Sequence, residues 1–241
     1  MLAIYRKEIR YFLSSATGYI VIGVFLLLTS LFLWLIPGSF NVLDSGYANV
    51  EGLFYLAPWL FLLLIPALTM RSVAKERQSG SWDILRSKPL KPTQIILGKY
   101  FAALSMALLA LLPTLVYYFS VRFIAQPQGN VDSGQFWGSF AGLFLLAAVY
   151  SAVGIFASSL SRNQITAFII ALLLSFTLYY GFDLLSSFFS GGSQIVFLEN
   201  LGIHAHYKSI SRGVIDSRDL LYYIVVTAVF LGLSVGRVGK K

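Results

Sequence analysis

Two Gly-Lys pairs, two histidines and one aspartate come closest to site chemistry in this chain, and each lacks its usual companions. A phosphate-binding loop needs G-x-x-x-x-G-K-[ST], so that backbone amides surround the phosphates and the lysine reaches them. Gly98-Lys99 is followed by Tyr100 and has Thr93 where the first glycine belongs; Gly239-Lys240 fails likewise. If ATP drives this protein, its nucleotide site therefore lies on another polypeptide. His204 and His206, the whole histidine complement, would leave a tetrahedral zinc site half empty. Intramembrane hydrolysis needs an activated serine with a histidine base, or paired aspartates at depth. The apolar blocks hold neither, and Asp183 sits at the outer end of its block. With no cysteine, disulfides, thiolate metal sites and cysteine nucleophiles are excluded. The expectation is a chain that is no enzyme, with no catalytic, cofactor-binding or metal residue of its own.

Charge concentrates instead in one stretch, residues 71–98. Gly80 divides it into a charged helical piece, 71–79, and a second piece, 81–87, before Pro89 and Pro92 stop the helix. Glu76, Arg77 and Asp83 lie here beside Ser81, and Val73, Trp82, Ile84 and Leu85 add apolar contacts among the charges. The stretch is too short to be a domain, so neighbouring elements must hold it.

Those elements belong in lipid. Of 241 residues 57% are hydrophobic and 12% charged, against about 25% charged in a soluble domain. A membrane helix needs about 20 mostly apolar residues. Six segments meet this: about 17–37, 53–70, 100–121, 137–160, 165–182 and 220–235, the second and sixth short enough to begin in neighbouring polar residues. The fold class is thus an all-α, six-span integral membrane protein forming one domain, 1–241. The first span lacks a small-residue cleavage pattern and reads as retained rather than as a signal peptide.

Orientation follows from the positive-inside rule. An inner N-terminus puts Arg6, Lys7, Arg10, Arg71, Lys75, Arg77, Arg86, Lys88, Lys91, Lys99, Arg162, Arg237, Lys240 and Lys241 inside, leaving only Arg122, Lys208, Arg212 and Arg218 outside. Fourteen against four places both termini in the cytoplasm. The net charge of +8 is distributed as a topology signal, not as a nucleic-acid-binding stripe. Residues 1–15 read as an amphipathic interfacial helix, its basic face toward headgroups. The outer segment 186–219 is apolar enough for a re-entrant piece turning at Gly191-Gly192, or for a plain covering loop. Small residues in the fourth span (Gly138, Gly142, Ser151, Gly154, Ser158) and the sixth (Gly232, Gly236) predict close helix packing. Pro58, Pro66 and Pro113 predict kinks.

Glu76-Arg77-Gln78-Ser79-Gly80-Ser81-Trp82-Asp83-Ile84-Leu85, with Pro89 and Ile96-Leu97-Gly98-Lys99, resembles the loop after the second span of ABC-2 type permeases. Ser81 stands for a threonine of that pattern, Asp83 for a glutamate and Trp82 for an aliphatic residue, and Lys75 replaces a second glutamate that many members carry. Residues 5–10, 57–59 and 65–71 resemble the family's interfacial helix and second span. Gly154-Ile155-Phe156-Ala157-Ser158-Ser159-Leu160-Ser161-Arg162-Asn163-Gln164, Asn200-Leu201-Gly202-Ile203 and Ser211-Arg212-Gly213-Val214-Ile215-Asp216 look like the gliding-motility-associated permeases of the F-subunit type in Bacteroidota.

The resemblance implies a multi-pass permease of the bacterial cytoplasmic membrane in a dimeric unit, with a homodimer partner or a second membrane subunit. It also implies ATP-binding subunits carrying the ATP and Mg, docked on the inner loop, and a re-entrant element before the sixth span. ATP-driven closure would then push Glu76, Arg77, Gly80, Ser81, Trp82, Asp83 and Leu85, rocking the second and third spans. In that picture the charges pair with the partner and Trp82 anchors in it. A passive scaffold for a cytoplasmic ATPase is the alternative reading of the same loop. Tyr, Phe and Ser of the second and fifth spans would suit a lipid, polysaccharide or peptide. A membrane-impermeant label on cysteines introduced at 75–85 should react only after the membrane is opened; reaction in intact cells contradicts the topology.

Overall fold

The computed structural model describes residues 1–239 except Lys88, Ser190 and Ile215, and excludes the side chains of Asp83, Ile84 and Arg86. Thirteen α-helices and no strand occur among the described residues. In order they are α1 Leu2–Ser14, α2 Ala16–Ser30, α3 Glu51–Thr69, α4 Ala74–Gln78, α5 Ser81–Arg86, α6 Pro92–Leu111, α7 Leu115–Ile124, α8 Ser133–Leu160, α9 Gln164–Phe176, α10 Phe182–Ser186, α11 Gly192–Glu199, α12 Ile203–Ile210 and α13 Ser217–Gly239. Six stretches are long and apolar enough to cross a membrane: Ala16–Leu35, Glu51–Gln78, Pro92–Ile124, Ser133–Leu160, Gln164–Ser186 and Ser217–Gly239. The second and sixth do extend into polar residues. The second takes in Glu51 at its outer end and the charged α4 at its inner end, since backbone groups in lipid must be satisfied within the helix.

Burial sorts the spans into layers. The second, third and fourth are mostly buried, whereas the first, fifth and sixth show most of their surface outward. α8 is the hub, packing against α3, α6, α9, α12 and α13. Lipid tails are as apolar as leucine, so small residues decide which helices approach closely. A Cβ at Gly154 would lie 2.0 Å from Thr69 Oγ1, so α3 and α8 touch there only because that carbon is missing. Gly138 meets Gly213 and the Ile210 carbonyl in the same manner. Gly232 and Gly236 behave otherwise: a Cβ at either would meet nothing within 4 Å, so among the described residues no element packs closely on the sixth-span pair.

The prolines also divide. Pro113 lies in a 3-10 turn, Leu112–Thr114, that separates α6 from α7, while α3 continues through both Pro58 and Pro66. Between the fifth and sixth spans two short helices form. Gly191 caps α11 and Gly192 begins it, and α11 packs back on α10 across the stretch that ends at this pair. A turn follows at 200–202, where the Leu201 and Gly202 amides bond back to the Leu198 and Glu199 carbonyls. α12 then buries Ile203, Tyr207 and Ile210 against the bundle. The histidines are not simply solvated, since His204 Nδ1 meets Asp183 and His206 Nδ1 lies 2.6 Å from Asp219.

Gly154→Val should force α3 and α8 apart and destabilise the protein by about 2–3 kcal/mol. Gly232→Ala should stay within about 0.5 kcal/mol of wild type. Thermal unfolding in detergent measures both, and similar values would contradict this packing.

Candidate functional site

The two ends of the chain and the loop between the second and third spans gather at one end of the bundle. Ile4, Val73, Trp82, Ile95, Ile96, Ile155 and Val238 form one buried cluster there, contributed by α1, the loop, α6, α8 and α13. Charge bias assigns this end to the cytoplasm, and it is called the inner end below.

α4 starts where it does because α8 supplies its cap. Ser158 Oγ accepts from the Val73 and Ala74 amides at 2.9 and 3.0 Å and donates to the Met70 carbonyl at 2.9 Å. A hydroxyl from a distant helix thus satisfies amides that a helix N-terminus leaves open. At its other end α4 stops at Gly80, whose φ of +72° a side chain would strain. α5 folds back from that turn and buries Trp82, 6% exposed, in the apolar cluster, with Leu85 packed against it. The Arg77 guanidinium lies 5.6 Å from the centre of the Trp82 ring and donates to the Ser159 carbonyl.

Beneath α4 lies a charged cluster. The Lys99 side chain has no exposed surface, and its Nζ donates to Glu8 Oε1 at 2.8 Å and to the Ser72 carbonyl at 2.6 Å. Glu76 Oε2 is 3.0 Å away, an ion pair without hydrogen-bond alignment. Lys7 Nζ reaches the other Glu76 oxygen at 2.8 Å. Two ammonium groups and two carboxylates thus balance, joining α1, α4 and α6. Gly98 permits it, because a Cβ there would lie 3.0 Å from Ile4 and hold α1 off. Outside the cluster, Lys75 donates to Tyr11 OH at 3.1 Å, and Gln164 Nε2 donates to Gln78 Oε1 at 3.2 Å.

Partial burial pulls the Lys7 pKa down, but Glu76 and then Glu8 outweigh it and hold the pKa above the ordinary 10.5. The Lys7 contribution is therefore fully present below pH 10.5 and is lost as pH rises through the raised value. Tyr11 shifts the other way: led by the Lys75 hydrogen bond, its pKa falls below the usual 10.0.

These positions revise the sequence reading in particulars. Glu76 and Trp82, expected to face a partner, are turned into their own chain. Glu8 of the interfacial helix is buried with Ile4 and Phe12 on its docked face. Asp83 lies in α5, but its side chain is outside the described residues. Among the described residues of α4, α5 and the turn between them, the exposed ones form a polar tip, Gln78, Ser79, Gly80 and Ser81, with the Lys75 and Lys7 ammonium groups on its flank. Lys99, Ser72 and Ser158 were not anticipated as parts of this site. A sequence signal existed for Glu8, which interrupts the apolar four-residue spacing Ile4, Phe12.

Lys99→Met should cost about 3–5 kcal/mol in thermal unfolding, since it leaves two largely buried carboxylates with only the exposed Lys7 ammonium to balance them. Adding Glu8→Gln and Glu76→Gln should recover more than half of that loss; no loss in the single variant would contradict a buried ion cluster.

The family model for ABC-2 family transporter protein matches residues 36–234 of this chain. A search of curated proteins returns no match. Six spans and a match over most of its length agree: the chain belongs to the ABC-2 family of transporter proteins, as a multi-pass membrane permease subunit of an ABC transporter.

Proposed function

We propose that this permease exports its substrate across the bacterial inner membrane, driven by a separate ATP-hydrolysing subunit that docks on the tip formed by residues 78–81. The observation that carries the reading is the contrast within one loop. Its tip is exposed and polar, while its base is tied by Lys99, Ser158 and Trp82 to α1, α6 and α8. A push on the tip therefore acts on a cross-braced unit and passes to the second and third spans together. Glu76, Arg77, Trp82 and Leu85 act as the brace, and Gly80 and Ser81 as the contact. The ATP and Mg belong to the docking subunit, and a second copy or a second membrane subunit completes the pathway.

The outward faces of the first, fifth and sixth spans support such a partner or the lipid bilayer around them. The stretches 154–164, 200–203 and 211–216 that resemble gliding-motility permeases support a place in that machinery.

Ser81→Arg at the tip should weaken co-purification of the cognate ATP-binding subunit by about tenfold, the effect of losing about 1.4 kcal/mol at an interface. Thermal stability of the permease should not change. Full co-purification, with substrate-responsive ATP hydrolysis intact in the reconstituted complex, would overturn the assignment of the tip.

A further inference from the structure

At the end of the bundle opposite the brace, α3 carries Glu51, Tyr55, Trp59 and Leu63 four residues apart, so they share one helix face. Read inward from the outer end, that face passes from a carboxylate through two aromatic rings with polar edges to a purely apolar side chain. Tyr55 is 65% exposed, Trp59 45% and Leu63 51%, so the described residues leave about half or more of each of these side chains open. Its upper part is not a convex belt of interfacial aromatics. It forms one wall of a cavity of about 320 Å³ closed by Tyr179, Tyr207 and Lys208, within the usual range of small-molecule sites, about 300–1,000 Å³.

The walls are fixed. Trp59 meets the Tyr179 ring edge-on at 5.6 Å and 84°, and the Tyr207 hydroxyl donates to the Phe54 carbonyl at 2.9 Å. Gln135 Nε2 donates to one Glu51 oxygen and holds that carboxylate at the mouth. Lys208 lines the same cavity, and its ammonium has no hydrogen-bond or ion partner among the described residues. Aromatic walls beside a carboxylate select an organic ammonium, which the ring faces attract. An unpaired lysine in the same cavity selects an anion on the ligand that carries that ammonium. A uniformly anionic ligand meets Glu51, and a purely cationic one meets Lys208.

We propose that this cavity binds the headgroup of a zwitterionic phospholipid, with the ammonium among Tyr55, Trp59, Tyr179 and Glu51 and the phosphate on Lys208. The acyl chains lie down α3 along Leu63. The inference deepens the exporter reading by naming the class of amphiphile this site takes. The binding itself does not require ATP.

The test uses the full chain in detergent, offered equal amounts of phosphatidylethanolamine and phosphatidylglycerol with the same acyl chains, with bound lipid counted by native mass spectrometry. Phosphatidylethanolamine should be retained over phosphatidylglycerol by about fivefold. The preference should fall to parity in Glu51→Gln and in Trp59→Leu, or in the more exposed Tyr55→Leu should Trp59→Leu fold poorly. N-acetylation of the lipid amine should abolish it, and Lys208→Gln should lower retention of phosphatidylethanolamine. Equal retention of the two lipids by the wild type, or a preference unchanged in Glu51→Gln and both aromatic variants, would overturn the site. Displacement of the lipid by the same concentration of soluble phosphoethanolamine would also overturn the assignment to a lipid. Because the permease is assayed alone, this result and that of the tip variant can fail independently.

Discussion

Withdrawing an ammonium from water costs several kcal/mol, and only close opposite charges with well-placed acceptors offset it. Lys99 is withdrawn completely, at the start of an otherwise apolar helix, and is met by Glu8, Glu76 and the Ser72 carbonyl. Those acceptors come from the N-terminal helix, the loop helix and the turn that joins the loop to the second span. Separating any of these elements from α6 leaves charge without a partner in a poorly polarisable place. The four-charge cluster therefore specifies one arrangement of the inner end, where apolar contacts alone would permit sliding. Ser158 works on the same element from the other side, capping α4 from α8, and Trp82 fills the space between.

The consequence is a division of labour along the membrane axis. At the inner end a small polar tip projects from a braced base, while the middle of the bundle is held by glycine contacts such as Gly154 against Thr69. At the outer end the second, fourth and fifth spans and α12 surround an aromatic cavity with charges of both signs at its edge. α3 runs from Glu51 at that cavity to the turn that carries the brace. One continuous helix and the α3–α8 contact thus connect the brace with the outer cavity.

The spans, the common side of the two ends and the helical pieces around Gly80 were legible in the sequence, because long apolar blocks and loop charges report directly on lipid. The brace was not. A lysine at the end of a span looks the same whether it extends to the interface or turns inward, and Glu8 is 91 positions away from Lys99 in the chain. Ser158 was readable only as one more small residue in a packed stripe, since its role depends on amides 84 and 85 positions distant. Trp82 suggested an interface anchor, and it is an anchor, but in its own chain. Gly191-Gly192 suggested a turn because glycine pairs are common in turns, and helix α11 begins at that pair.

Hydrogen exchange on the intact permease, comparing wild type with Lys99→Met, tests the brace most directly. If the buried ammonium holds α1 and α4 to α6, the amides of both short helices lose protection together while those of α3 and α8 within the bundle keep theirs. Unchanged protection in both, or loss confined to α1, would show that the inner end is held by its apolar contacts and that Lys99 does not organise it.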